Sequence, residues 1–232
     1  MSNGLVKLFS LISVVAIGAA ANAQISFQSG NGTVGGHDSR ITVLEGPSTA
    51  DFSTLTGADF NDAKHGKHAV ILPSLASGWV SRLGGGSTAE WVGLSSTAGN
   101  NSYASDTALY AISFDVQHKI SDAVLDLTFS VDDQLGGSNN EGLFIDGHAI
   151  ANSNSPVLWD GQIASDSYNL GTLNRGEHTL YLDVVNSGGG PSGVIFQGQI
   201  QSACQSVPEP APIAILGVGA LGFIRRRRAS KG

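Results

Sequence analysis

Val124-Leu125-Asp126-Leu127-Thr128-Phe129-Ser130-Val131 is the stretch on which the fold class turns. Apolar side chains fall at 125, 127, 129 and 131 and alternate with mostly polar ones. A period of two is the signature of a strand with one row in a core and one toward solvent. Thr179-Leu180-Tyr181-Leu182-Asp183-Val184 repeats the pattern at 180, 182 and 184. Working outward, strands are predicted over Ala108 to Asp115, Ala123 to Val131, Glu141 to Ile145, His178 to Asn186 and Val194 to Ile200. Long 3.6-residue periodicity is absent, and Gly and Asn clusters bound the runs, so an all-β sandwich or barrel is expected.

Turn chemistry joins the pieces. Asp146-Gly147 favours a tight hairpin, and Asn174-Arg175-Gly176-Glu177 leads into the next strand. The glycine-rich stretch from Asn186 to Gly193 enters the last one. It lacks the Gly-Lys-Ser/Thr ending and following helix of a phosphate cradle. No internal repeat of 20–50 residues is present.

Both ends read as processing segments. Lys7, the apolar run Leu8 to Ala21 and the A-x-A site Ala21-Asn22-Ala23 form a secretory signal peptide, with cleavage expected after Ala23. The other end carries Val207-Pro208-Glu209-Pro210, the uncharged run Ala211 to Ile224, and Arg225, Arg226, Arg227 and Arg228. A run this short is ambiguous as a span. Clustered arginines beside it stay cytoplasmic and snorkel to the interface, which lengthens the effective span.

The body between them, residues 24–206, holds 6 basic and 18 acidic residues, a net charge of −12. Nucleic acid is excluded as an expected partner, because phosphate binding needs a basic footprint. Divalent cations or neutral glycans fit better. At about 180 residues the body is long enough for one domain with a real core. The single cysteine, Cys204, allows no internal disulfide, so stability must come from packing.

The C-terminal constellation resembles the tripartite sorting signal of PEP-CTERM proteins. Val207, Pro208, Glu209 and Pro210 match the short motif, and the apolar run and Arg225 to Arg228 match the other two parts. The resemblance implies export by a Gram-negative bacterium and handling by exosortase, a membrane-embedded processing enzyme. It implies anchorage in the inner membrane by the tail before processing, then delivery to the cell surface or extracellular matrix. It covers about the last tenth of the chain.

A second resemblance covers roughly Gly78 to Gln201. Phe129-Ser130-Val131-Asp132-Asp133, Leu143-Phe144-Ile145-Asp146-Gly147, Leu173-Asn174-Arg175-Gly176-Glu177-His178-Thr179-Leu180 and Val184-Val185-Asn186 look like pieces of galactose-binding-like jelly-roll domains. The implied fold is an antiparallel β-sandwich, with a signal helix before it and a hydrophobic helix after it. The implied organisation is a signal peptide (1–23), N-terminal strands or an arm of the body (24–77), the β-sandwich domain (78–203) and the sorting tail (204–232).

Asp132, Asp133, Asn139, Asn140, Glu141 and Asp146 cluster across one inter-strand loop. Calcium takes six to eight oxygen ligands of these types, and jelly rolls resembling this one often carry a structural calcium, so calcium is the one candidate cofactor. The alternative is a polar loop using Asp and Asn for turn bonds. Asp62, His65 and His68 lie close together but have loop composition, with Lys64 and Lys67 interleaved. Glu177 and His178 at a strand entry read as turn and surface residues. Trp79, Trp91 and Trp159 offer aromatic faces to sugar rings. The core is the default place for Trp in a sandwich, and Trp159 is the candidate glycan contact. No His-Glu-x-x-His, Gly-x-Ser-x-Gly or catalytic cysteine context is found, so no catalytic residue is assigned and no enzyme is expected. The reading is an exported surface or matrix protein with exopolysaccharide as candidate partner. The alternatives are a purely structural biofilm protein or an enzyme acting on polysaccharide.

Overall fold

The computed structural model describes residues 24–48, 50–100, 105–158 and 162–203. The expected signal helix, the hydrophobic helix and the sorting motif lie outside them, as do Trp159 and Cys204. The described residues belong to one compact unit. Among the described residues no helix is long and apolar enough to cross a membrane.

Among the described residues twelve strands and one helix follow in chain order. They are β1 (Ile25–Gln28), β2 (His37–Ser48), α1 (Gly57–Lys64), β3 (Lys67–Ile71), β4 (Val92–Gly93), β5 (Asp106–Val116) and β6 (Ile120–Asp132). Then come β7 (Gln134–Leu135), β8 (Leu143–Ile145), β9 (His148–Ala149), β10 (Ala164–Leu173), β11 (Gly176–Val185) and β12 (Gly193–Ser202). Every pairing is antiparallel. One hydrogen-bonded path runs β10-β6-β12-β4-β3-β2-β5-β11-β8-β9, with β1 on β12 and β7 on β11.

The expected antiparallel β body is therefore present, as one curled sheet rather than two separate ones. The cause is β4. Its Val92 pairs with Val194 of β12 and with Ile71 of β3, joining the two halves along one side. Leu125, Leu127, Phe129 and Val131 of β6 and Phe196 and Ile200 of β12 meet Ile41, Val43, Tyr110, Ile112, Leu180, Leu182 and Val184 of the opposite half in one core. The alternation read from the sequence selects those rows. Each side chain of this size contributes about 1.5–3 kcal/mol when fully buried.

β2 lies between β3 and β5, and β1 pairs with β12 through Ile25↔Ile200 to Gln28↔Gln197. Residues before 78 thus supply sheet strands and also α1. Thr56 caps α1, accepting from the Asp59 amide while the Asp59 carboxylate accepts from the Thr56 amide. This reciprocal pair satisfies two amides that the helix start leaves open. Lys64 in the last turn complements the helix dipole. Phe60 packs 5.0 Å from Phe144 and 4.9 Å from Tyr181, ring centre to ring centre, sealing α1 over the outer face of β5 and β11.

The Asp146-Gly147 turn joins β8 to β9 with positive φ at both residues, 52° and 79°. That is the geometry a two-residue primed turn requires, and glycine adopts it freely. The Asp146 carboxylate accepts from the Thr179 amide (2.8 Å) and from His178 Nδ1 (2.6 Å), tying the hairpin to β11. Burial works against a charged His178, but the Asn174 carbonyl and the Asp146 carboxylate outweigh it and hold its pKa raised.

A buried carboxylate organises the loop before β2. Asp38 is fully buried and accepts four backbone amides. Gly30 (2.7 Å) and Asn31 (2.9 Å) donate to one oxygen, and Arg40 (2.8 Å) and Ile41 (3.1 Å) to the other. Asp38→Asn turns one acceptor oxygen into a donor facing two amides. A loss of about 2–4 kcal/mol is expected on the scale of bonds to charged groups. Urea unfolding measures it, and a loss under about 0.5 kcal/mol would remove Asp38 as the organiser of this loop.

Candidate functional site

The open face of the β1-β12-β6-β10 half holds a continuous polar surface. Its geometry comes from register. Gln28 pairs with Gln197, Gln197 with Thr128 and Thr128 with Ser165. One step along the strands, Ser26 pairs with Gln199, Gln199 with Asp126 and Asp126 with Ser167. Two four-residue rows thus cross four strands, about 14 Å wide at the usual strand spacing. All eight side chains belong to exposed or half-buried residues.

The rows are cross-linked. Asp126 accepts from Ser167 Oγ (2.5 Å), Gln201 Nε2 (2.9 Å) and Gln199 Nε2 (3.4 Å). Thr128 and Ser165 share a hydroxyl bond of 3.0 Å, Gln24 Nε2 donates to Gln199 (2.5 Å), and Gln28 Nε2 donates to Thr88 (2.9 Å). The face is built of amides and hydroxyls, groups that both donate and accept. Asp126 is its single charge, and it is spent on three neutral donors.

Trp79 and Trp91 do not reach this face. Trp79 and Trp91 stack with ring centres 4.0 Å apart in a second core with Leu72, Leu83 and Ile195. Trp91 Nε1 donates to the Val80 carbonyl (2.7 Å), and Trp79 Nε1 donates to Asp132 Oδ2 (2.6 Å).

The candidate calcium ligands each have a local partner in the structure. Asp132 is buried on the indole of Trp79. Asp133 accepts from the Ser187 amide (2.7 Å) and hydroxyl (3.0 Å). Asn139 and Asn140 donate to the Phe52 carbonyl, each at 3.0 Å, and Asn140 also accepts from the Leu55 amide (3.1 Å). Glu141 accepts from the Ser153 amide (3.2 Å), and Asp146 serves the hairpin. Strand geometry points neighbouring carboxylates into different surroundings, and each finds a local donor. Among the described residues no three His, Cys, Asp or Glu side chains converge on one point. Asp62, His65 and His68 therefore do not converge either, and the His65 ring faces the Asn61 carbonyl (3.0 Å).

Two carboxyls outside the face are perturbed. Burial pushes Asp132 up to about 7, reinforced by Asp133 and opposed by the Trp79 bond. Burial pushes Asp183 of β11 up to about 8, reinforced by Asp51. Sequence reading passed over Asp183 because it stands on the polar side of an alternating strand, where an exposed carboxylate is expected.

An antiparallel β body with a polar sheet face is the class these observations define. The C-terminal segment 206–228 matches the family model of the PEP-CTERM protein-sorting motif. The chain carries that motif, which implies export and exosortase-mediated sorting to the surface. No curated protein matches the sequence. Among solved structures the body is similar to a family 35 carbohydrate binding module from Clostridium thermocellum, a galactose-binding-like jelly roll. That similarity has 11% identity and a TM-score of 0.35, covering 78% of this chain and 99% of the module. It is also similar to the PA14 domain of the MpAFP antifreeze protein, at 9% identity and a TM-score of 0.30, covering 83% and 90%. A third is the Agl-KA catalytic domain, at 11% identity and a TM-score of 0.31, covering 87% of this chain and 32% of that one.

The raised carboxyls set a pH dependence. A carboxyl whose folded pKa lies above its unfolded value of 3.8 makes the folded state bind more protons. Its stabilisation is complete below about pH 4 and is lost as pH rises through 7 to 8. In chelator, the melting temperature is expected to be higher at pH 5 than at pH 8.5. Asp132→Asn keeps an acceptor for Trp79 and removes the titration, so it should raise the melting temperature at pH 8.5 more than at pH 5. An equal shift at both pH values would dismiss Asp132 as a contributor.

Proposed function

We propose that the chain is an exported, non-enzymatic surface or matrix protein of a Gram-negative bacterium, and that its body associates with exopolysaccharide through the Gln/Ser/Thr face. The observation that carries the location is the sorting motif at 206–228. The tail holds the chain at the inner membrane until an exosortase-type enzyme cuts it, and the body then passes to the surface or extracellular matrix.

The two polar rows support the glycan reading. A neutral polysaccharide presents hydroxyls that both donate and accept. Planar amides and hydroxyls at strand spacing complement them without a desolvated charge. The body's net charge of −12 argues against polyanionic partners. The non-enzymatic reading is supported by the burial of the perturbed carboxyls: Asp183 is 0% exposed and Asp132 5%. Neither can touch a substrate held on the open face.

Affinity electrophoresis of the full chain through gels containing the source organism's exopolysaccharide tests the binding. Retardation is expected, and Gln197→Ala with Gln199→Ala should abolish most of it while leaving the melting temperature within a few degrees. Equal mobility with and without polysaccharide would sink the glycan reading and favour a structural protein without a ligand. The address is tested separately. Deleting Arg225 to Arg228, or replacing Pro208-Glu209-Pro210, is expected to leave unprocessed protein in the inner membrane. Normal maturation of both variants would overturn the sorting role.

A further inference from the structure

Asp183 of β11 faces away from the main core, between Leu182 and Val184, which both point into it. Its side is not open to water. The 51–55 segment and the glycine-rich 136–142 loop close over it, and the residue has no solvent exposure. The two covering segments are bound to each other. Asn139 and Asn140 donate to the Phe52 carbonyl, and the Asn140 side-chain oxygen accepts from the Leu55 amide. The 136–142 loop is bound to β11 as well. The Gly136 amide donates to the Asp183 carbonyl (2.8 Å), and the Asp183 amide donates to the Gly142 carbonyl (2.9 Å).

Under this cover a second carboxyl comes within hydrogen-bonding reach of Asp183, that of Asp51. One Asp51 oxygen accepts the Asn139 amide at 3.0 Å. The other Asp51 oxygen and both oxygens of Asp183 are buried without a hydrogen-bond donor. Gly137 makes the approach feasible, because a Cβ there would come within 2.2 Å of Asp51 Oδ2. Buried polar atoms are almost always satisfied, so three bare carboxylate oxygens at one point need a partner.

Two partners are chemically available. A shared proton bridges one oxygen of each carboxyl and leaves the third oxygen bare in a dry site. A cation takes all three. Every donor at the point is oxygen, which selects a hard divalent ion over a thiol- or imidazole-seeking one. Asp51 is only half-buried and leaves a route for entry.

We infer that Asp51 and Asp183 hold a divalent cation of the calcium class, which pins the 51–55 segment and the 136–142 loop onto β11. The inference is independent of the glycan face, which lies on the other half of the sheet. This site shares none of the loop carboxylates that sequence reading nominated. Its ligands are 132 residues apart in the chain and meet only through the fold.

The test is calcium titration of the chelator-treated full chain at pH 7.5 by calorimetry and thermal melting. Saturable binding is expected with a dissociation constant between about 10⁻⁵ and 10⁻³ M, the range of sensor and extracellular sites, and with a rise in melting temperature. Asp183→Asn and Asp51→Asn are near-isosteric. Each should weaken binding at least tenfold and lose the thermal shift, while Asp126→Asn on the open face should retain both. No heat and no thermal shift up to 10 mM calcium or magnesium would overturn the inference. So would an unchanged response in Asp183→Asn, since the ion would then lie elsewhere. A melting temperature that ignores calcium and whose rise on acidification is smaller in Asp183→Asn than in wild type would assign the pair to a shared proton.

Discussion

The structure depends on the ladder between β6 and β12. It runs unbroken from Ala123↔Ser202 to Asp132↔Gly193, and it fixes which side chains are inside. Leu125 stands opposite Ile200, Phe129 opposite Phe196 and Val131 opposite Val194. At Leu127 the partner is Gly198, and the ring of Phe27 takes the space a side chain would occupy: an added Cβ would sit 2.7 Å from it. A slip of one residue would send Asp126, Thr128 and three glutamines into the core. The same register divides the outer face. Toward one end Ile195 lies under the stacked tryptophans. Toward the other, Asp126, Thr128, Gln197 and Gln199 stay open to water.

Acidic residues are the second organising constraint, because the body holds three times as many acids as bases. Its two Lys–Glu pairs, Lys64–Glu177 and Lys67–Glu45, lie at the surface, where such pairs contribute little. The buried acids are handled by other means. Asp38 gathers four backbone amides, Asp133 takes the Ser187 amide and hydroxyl, and Asp132 takes an indole N–H. Asp38 and Asp132 each fasten a loop to a strand and Asp133 joins two loops, so the carboxylates act as loop clamps. Asp183 breaks the series, since among the described residues the charge that acts on it is another carboxyl. In a fold that otherwise supplies a donor for its buried acids, the exception marks a different kind of partner.

What was legible in the sequence was local. The alternation at 125–131 and 180–184 gave β6 and β11, and Asp146-Gly147 gave the hairpin. The expectation of strands over 108–115 and 194–200 came within a few residues of β5 and β12. β10 was passed over because its Ala164-Ser165-Asp166-Ser167 start is polar on both faces, as an edge strand's can be. The helix α1 is eight residues with little periodicity, although Thr56 and Asp59 carried its capping signature. The carboxylates and amides from Asp132 to Asp146 take separate local partners for a physical reason. Proximity along the chain says little about side-chain direction when strands, a bulging loop and a hairpin lie between. Asp51 and Asp183 had no sequence signal as a pair, since each reads as an ordinary surface acid.

The polar face shows how register makes a surface that no segment declares. Gln28, Gln197, Thr128 and Ser165 come from four separated strands, and none belongs to a recognisable motif. What distinguishes the set is its chemistry against the background. A sheet face that only needs to stay soluble is served by charged side chains of both signs. This body has acids to spare, yet its two rows contain one, and that one is saturated by Ser167, Gln199 and Gln201. The remaining groups are neutral donors and acceptors held by a rigid four-strand scaffold. Such a scaffold limits the entropy lost when a ligand orders them. That combination serves repeated, neutral, hydroxyl-rich partners better than it serves solubility, which the surrounding carboxylates already secure.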